Sequence, residues 1–157
     1  MIRVLFVCLG NICRSPMAEA VFREMVRKER LSDKIEVDSG GTGGWHVGEK
    51  PHHGTREVLK RENIPYDGIV ARQVQREDWD EFDYIIAMDD ENIDSLHRIR
   101  KKENGPVIAK LMDFVENPLE PNVPDPYYTG KFDYTYQLIS EGCRHLLQRI
   151  KEDHSLT

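Results

Sequence analysis

Ten residues restrict this chain more than any others: Val7-Cys8-Leu9-Gly10-Asn11-Ile12-Cys13-Arg14-Ser15-Pro16. They follow Val4-Leu5-Phe6-Val7, a short continuous apolar run that suits a strand buried on both faces. Beyond them Ala18, Val21, Phe22, Met25 and Val26 recur at helical spacing as far as about Arg30. Ser15 suits a helix cap, and Pro16 suits a first turn, where its missing N–H costs nothing. A glycine turn between a strand and a helix start can gather backbone N–H groups around an anion. The cysteine at its entrance and the arginine at its exit decide what that anion can undergo.

The remainder of the chain alternates in the same way. Ile35-Glu36-Val37 with Asp38-Ser39 predicts a second strand, and Gly40 to Pro51 a glycine-rich loop holding Trp45. A helix is expected from Gly54 to Asn63, with Val58 and Leu59 inward and Pro65 as its stop. Tyr66 to Gln75 has no clear period, and Arg76 to Trp79 suggests one helical turn before a third strand, Tyr84 to Met88. A helix from Asp90 to Lys102 turns Ile93, Leu96 and Ile99 inward, and Val107-Ile108-Ala109 predicts a fourth strand. Residues 113–130 are rich in Pro, Asp and Tyr and read as irregular; a closing helix spans Asp133 to Glu152. Leu138, Ile139, Cys143, Leu146, Leu147 and Ile150 form its apolar stripe.

Strands alternating with helices predict an α/β fold, with a central four-stranded parallel sheet flanked by helices in three layers. The phosphate-binding loop would follow strand 1, and residues 1–157 read as a single domain, which this length suits. Ligands of such sheets bind beyond the carboxyl ends of the strands. Cys8 ends the first strand and Asp125 lies on the long loop after the fourth, so one mouth can hold both.

The net charge of −6 offers no basic footprint, which excludes nucleic acid as the main partner. The charge is uneven: residues 1–30 hold six Arg or Lys and three Glu, an excess of +3 around the suspected anion site. Three cysteines do not build a disulfide framework, and the odd count points to a reducing compartment. Val4 to Leu9 is too short for a signal peptide core, and no run approaches the ~20 apolar residues of a membrane helix. A cytoplasmic chain with no membrane partner is expected.

Cysteine chemistry at phosphorus needs the thiolate, yet an ordinary thiol with pKa ~8.5 is only about 3% ionised at pH 7. Inward N–H groups at a helix start favour the anionic sulfur and cradle phosphate oxygens. Gly10 allows the curvature, Arg14 presents a planar fork to two oxygens, Ser15 can donate to sulfur, and Asn11 can hold the loop's shape.

Cys8-x5-Arg14-Ser15, at the very start of a chain of this length, resembles the low-molecular-weight protein tyrosine phosphatases. Asp38-Ser39-Gly40 through Trp45, Ala71-Arg72-Gln73, Phe82-Asp83-Tyr84-Ile85 with Met88-Asp89, and Asp125-Pro126-Tyr127-Tyr128 look like that family, in its order. The resemblance implies hydrolysis of phosphotyrosine through a phosphocysteine intermediate, with no metal and no cofactor. Cys8 would be the nucleophile, Arg14 the phosphate clamp and Asp125 the general acid, then the base that activates water. A positioned carboxyl is worth roughly 10²–10⁴ in rate, and Pro124 and Pro126 stiffen its backbone.

Leu9, Gly10, Asn11, Ile12, Cys13 and Ser15 would complete the phosphate loop, supported by Ser39, while Trp45, Tyr127 and Tyr128 wall the mouth. A deep aromatic slot favours phosphotyrosine over the shorter phosphoserine. Ile12 matches the tyrosine-directed members, whereas the arginine-phosphatase relatives look to carry a smaller polar residue there. Cys13 could form a disulfide with oxidised Cys8, the part that a second loop cysteine plays in the family. Ile69 stands where the family commonly has a loop-steadying histidine, so the support of Asn11 and Ser39 is open. The expected partners are phosphotyrosine-containing proteins, met by a monomer.

Three rivals are weaker. A thiol-linked arsenate reductase needs further cysteines to pass a disulfide along, and the middle of the chain has none. A phosphocysteine carrier must preserve its thiophosphate, which Arg14 and Asp125 would spend. Gly43-x4-Gly48-Glu49-Lys50-Pro51 imitates an ATP loop, but its lysine is late and Pro51 occupies the magnesium-ligand position. His46, His52 and His53 lack metal-ligand spacing and read as loop and helix-start residues.

Overall fold

In the computed structural model, which describes residues 1–99 and 105–156, the N-terminal apolar run forms strand β1, Ile2–Cys8. Val4 to Val7 are wholly buried, as a strand covered on both faces requires. The sheet is completed by β2 (Ile35–Gly41), β3 (Tyr84–Ala87) and β4 (Val107–Lys110), all parallel, in the order β2-β1-β3-β4. Its two interior strands are β1 and β3. The chain leaves β1 first for β2 on one side and later for β3 on the other, so a crevice opens beyond the carboxyl end of β1. Cys8 is the last residue of that strand.

The helices are α1 (Arg14–Lys28), α2 (His53–Arg61), α3 (Asp78–Glu81), α4 (Asp90–Ile99), α5 (Pro126–Thr129) and α6 (Phe132–Asp153). One core joins α1, α2 and α6 to the sheet through Phe6, Met17, Phe22, Leu59, Ile139 and Leu146. A second, on the opposite face, packs Trp79 of α3 and Leu96 of α4 against Leu5, Val7 and Ile85. Three layers result, as the alternation of strands and helices predicted. The expected end of the fourth-strand-side helix at Lys102 lies outside the described residues.

Two local expectations change. β2 continues through Gly40 to Gly41, where a glycine-rich loop was expected, because Gly41 pairs directly with Cys8. A Cβ on Gly41 would lie 2.9 Å from the Leu9 carbonyl oxygen, so only glycine lets the two backbones approach this closely. The Pro- and Tyr-rich stretch is also less irregular than expected. A 3₁₀ turn forms at Leu111–Phe114, and α5 starts on an Asp125 side-chain cap and ends at Gly130 in the left-handed region, φ 74°.

Candidate active site

The loop between β1 and α1 is held from outside through its carbonyls. Cys8 O accepts from Thr42 N (2.9 Å), Leu9 O from Gly43 N (2.9 Å) and Ile12 O from His52 N (2.7 Å). Cys13 O accepts from the Thr55 hydroxyl at 3.1 Å. With the carbonyls turned outward, the N–H groups from Leu9 to Arg14 donate to no other group among the described residues. Unengaged donors at a helix start are what an anion cradle would need. Asn11 makes the reversal at φ 57°, a left-handed conformation that asparagine enters more readily than most residues.

Ser15 does not cap α1. The helix begins at Arg14 with Cys13 before it and no side-chain cap, and the Ser15 hydroxyl is used elsewhere. It lies 3.0 Å from Cys8 Sγ and accepts from Asn11 Nδ2 at 2.7 Å. Asn11 Nδ2 also donates to Ser39 Oγ at 3.0 Å, and the Ser39 hydroxyl donates to Glu19 Oε1 at 2.6 Å. On its other side the Asn11 amide oxygen accepts from Arg72 N at 2.9 Å. Arg72 is itself fixed by Asp38 (3.1 Å) and by a two-nitrogen grip on Asp78 (3.1 and 3.2 Å).

These contacts answer how the loop is supported without a histidine at position 69. Ile69 is buried in the apolar core and brings no polar group, and Arg72 and Glu19 bear the two ends of the Asn11 and Ser39 network.

Arg14 is 2% exposed. Its Nη1 donates to Asp89 Oδ2 (2.6 Å) and to the Val123 carbonyl (2.9 Å), and its Nη2 faces Asp125 Oδ2 at 3.3 Å. Burial opposes the charge, but Cys8, Asp125 and Asp89 outweigh it and hold the guanidinium above its ordinary pKa. Buried Nε has no hydrogen-bond partner among the described residues, which leaves a donor for an incoming oxyanion. Asp125 has two tasks: Oδ1 caps α5 by accepting from Tyr127 N at 3.1 Å, and Oδ2 faces Arg14.

The cleft above Cys8 has a volume of about 200 Å³, floored by Leu9, Gly10, Ile12 and Cys13. Trp45, Tyr127 and Tyr128 stand at its mouth with Asp125, and all three rings are exposed, Trp45 by 71%. His52 meets the Tyr127 ring edge-on at 6.0 Å and stacks on Phe132 at 5.0 Å, bracing the wall. His46, read from the sequence as a loop residue, also lines the cleft, with its Nδ1 2.8 Å from Glu49 Oε2. Burial, then the nearby Cys8 and Asp125, push the Cys13 thiol up, so it is protonated at neutral pH. Cys143 is wholly buried on α6, as its place in the apolar stripe implied.

Sequence reasoning thus placed Cys8, Arg14, Asp125, the loop and the aromatic rings, which the structure brings together. It missed the roles of Glu19, Asp89, Arg72 and His46. Glu19 did carry a signal, as a carboxylate among apolar neighbours on the buried stretch of a helix; Asp89 carried another, as an acid just past the end of a strand.

A family profile described as "Low molecular weight phosphotyrosine protein phosphatase" matches residues 3–156. The chain is 56% identical over 156 residues to "Low molecular weight protein-tyrosine-phosphatase YfkJ" of Bacillus subtilis, covering 99% of this chain and all of that one. It is 46% identical to the PtpA protein of the same description from Staphylococcus epidermidis, covering 99% of this chain and 98% of that one. The crystal structure of B. subtilis YfkJ superposes with a TM-score of 0.95 over 98% of this chain and 96% of that chain.

Proposed function

The chain belongs to the low molecular weight phosphotyrosine protein phosphatase family, and we propose that it hydrolyses phosphotyrosine in proteins through a covalent phosphocysteine at Cys8. The observation that supports this reading is the presence of Cys8, in contact with Ser15, and of Asp125 on one cleft, with Arg14 facing Asp125 and the loop N–H groups donating to no other group among the described residues.

In the first step Cys8 Sγ attacks phosphorus, the S–P bond forms, and the bond to the tyrosyl oxygen breaks. The loop N–H groups and Arg14 stabilise the charge on the three equatorial oxygens, as phosphoryl transfer requires. The departing phenolate takes its proton from Asp125, which lines the same cleft as Cys8. In the second step water attacks phosphorus and gives its proton to Asp125. The S–P bond breaks, and Cys8 returns as the thiolate with release of inorganic phosphate.

Trp45, Tyr127 and Tyr128 would flank the phenyl ring, and Ile12, 7% exposed on the cleft floor, would fill space against it. This wall favours an aryl phosphate over phosphoserine and phosphoarginine. The whole chain would act as one catalytic unit, a monomer acting in the cytoplasm on phosphotyrosine-containing proteins. Its three free, buried thiols support a reducing compartment, and no helix among the described residues is long and apolar enough to cross a membrane.

The test is release of phenol from an aryl phosphate without added metal, with phosphoserine and phosphoarginine as competing substrates. Wild type should turn over the aryl ester in preference to both. Cys8→Ser should be inactive, and Asp125→Ala should lose roughly 10²–10⁴ in rate. Turnover by Cys8→Ser would overturn the mechanism, and preference for phosphoarginine would overturn the substrate.

A further inference from the structure

One contact at the heart of the site is ambiguous when taken alone. Cys8 Sγ and Ser15 Oγ lie 3.0 Å apart, and either atom could donate. The groups beyond Ser15 constrain the direction. Arg72 N is only a donor, so at 2.9 Å it fixes the Asn11 amide with its oxygen toward Arg72. The Asn11 nitrogen, which only donates, therefore faces both serines, at 2.7 Å from Ser15 Oγ and 3.0 Å from Ser39 Oγ. Each serine oxygen has accepted and must send its own hydrogen elsewhere. Among the described residues the other partner of Ser15 Oγ is the Cys8 sulfur, which as the thiolate can only accept, so Ser15 then donates to it; Ser39 sends its hydrogen to Glu19 Oε1 at 2.6 Å.

Resting on the reading of Cys8 as nucleophile, we propose that Glu19 is a positioning residue for it: by accepting the Ser39 hydrogen, Glu19 keeps the Ser39 oxygen turned as an acceptor to Asn11 Nδ2, and this second hold, beside Arg72 N, keeps Asn11 where it orients Ser15 toward the Cys8 sulfur. Among the described residues Glu19 is the acceptor of the Ser39 hydrogen. Ser39 is 1% exposed, so a hydroxyl hydrogen deprived of Glu19 has no water to turn to. Ile69 offers no polar atom.

A carboxyl here is also costly. Glu19 sits between Ala18 and Ala20 in a buried run of α1 and is 7% exposed. The charged groups around it are Asp38 of β2, Arg23 of α1 and Arg72 of the segment before α3. Burial pushes its pKa up to about 7 against the Ser39 contact, and the neutral acid still offers a carbonyl oxygen to Ser39.

The inference is tested by Cys8 reactivity rather than by hydrolysis. The rate of iodoacetate inactivation at mildly acidic pH reports the thiolate directly, and folding of every variant is checked by circular dichroism. Glu19→Leu, which removes the acceptor, should slow alkylation about tenfold, the size of one buried hydrogen bond. Glu19→Gln, which keeps a carbonyl oxygen, should stay within about twofold of wild type. Ser39→Ala should show the same loss as Glu19→Leu and does not depend on the leucine variant folding. The double variant should then lose no more than either single variant.

A wild-type alkylation rate in folded Ser39→Ala or Glu19→Leu would overturn the inference. So would Glu19→Gln falling as far as Glu19→Leu, because charge rather than direction would then matter. If wild type alkylates rapidly at Cys8 yet hydrolyses no aryl phosphate, the phosphatase reading fails while the alkylation pattern still judges Glu19.

Discussion

Asp89 has two carboxylate oxygens with separate duties, and that separation makes a quantitative test. Oδ2 holds Arg14 Nη1 at 2.6 Å, while Oδ1 accepts from Asn92 N at 2.8 Å and so starts α4. Asp89→Ser keeps an oxygen for the Asn92 N–H, since serine caps helices about as well as aspartate, but it cannot reach or neutralise Arg14. A hydrogen bond to a charged group is worth about 1.5–3 kcal/mol. The Arg14 side chain is 2% exposed and that of Asp89 22%, so screening is partial and a loss of about 2 kcal/mol is expected.

At 1.36 kcal/mol per decade that corresponds to a fall in kcat/KM of between about 10- and 100-fold, if the lost energy had been holding the guanidinium for the transition state. Asp89→Ala should lose about 1 kcal/mol more stability through the cap with little further loss of activity. Urea unfolding and steady-state hydrolysis of an aryl phosphate measure the two quantities. An Asp89→Ser variant whose kcat/KM is unchanged, or is raised because Asp89 merely competed with phosphate for Arg14, would refute the reasoning.

Gly41→Ala should destabilise the protein by about 1–3 kcal/mol and impair activity, because its Cβ would meet the backbone oxygens of Leu9 at 2.9 Å and Gly43 at 3.1 Å; an unchanged urea midpoint would contradict this. Glu19 binds its proton more tightly in the folded chain, its pKa moving from 4.5 to about 7, so wild-type stability should fall as pH rises through that interval. At 1.36 kcal/mol per pH unit the fall amounts to about 3 kcal/mol, and Glu19→Gln should lack it; parallel stability curves for the two proteins would show that Glu19 does not titrate in this range. Peroxide-inactivated wild type should recover with added thiol, and Cys13→Ser should recover markedly less, because Cys8 would have lost the partner that stops its oxidation at the disulfide; equal recovery would remove that role.

The parts of the site that lie along the chain were legible, and those that lie across it were not. β1, the loop and α1 could be read in order because apolar run, glycine turn and helical period are local signals, and the four strands emerged from the same periods. Ser15 misled as a cap because its true partners, Cys8 and Asn11, are reached only when the loop curls back. Glu19 and Ser39 are 20 residues apart, and Arg14 and Asp89 are 75 apart, so no local pattern announces either pair. Asp125 was visible as a candidate acid. Its simultaneous use as the cap of α5 required the backbone to show that one carboxylate serves both ends. The continuation of β2 through two glycines ran against strand propensity, and tertiary contact with the Cys8 loop overrode that preference.

The central claim is that phosphate passes through the sulfur of Cys8. An aryl phosphate with a good leaving group needs little help from an acid in the first step, whereas water in the second step still needs a base. Asp125→Ala should therefore accumulate the intermediate. Acid quenching followed by mass spectrometry of the proteolysed protein should find one phosphoryl group, on the peptide that contains Cys8, and none in Cys8→Ser. A phosphoryl group on any other residue, or continued turnover by Cys8→Ser with no adduct, would contradict the account.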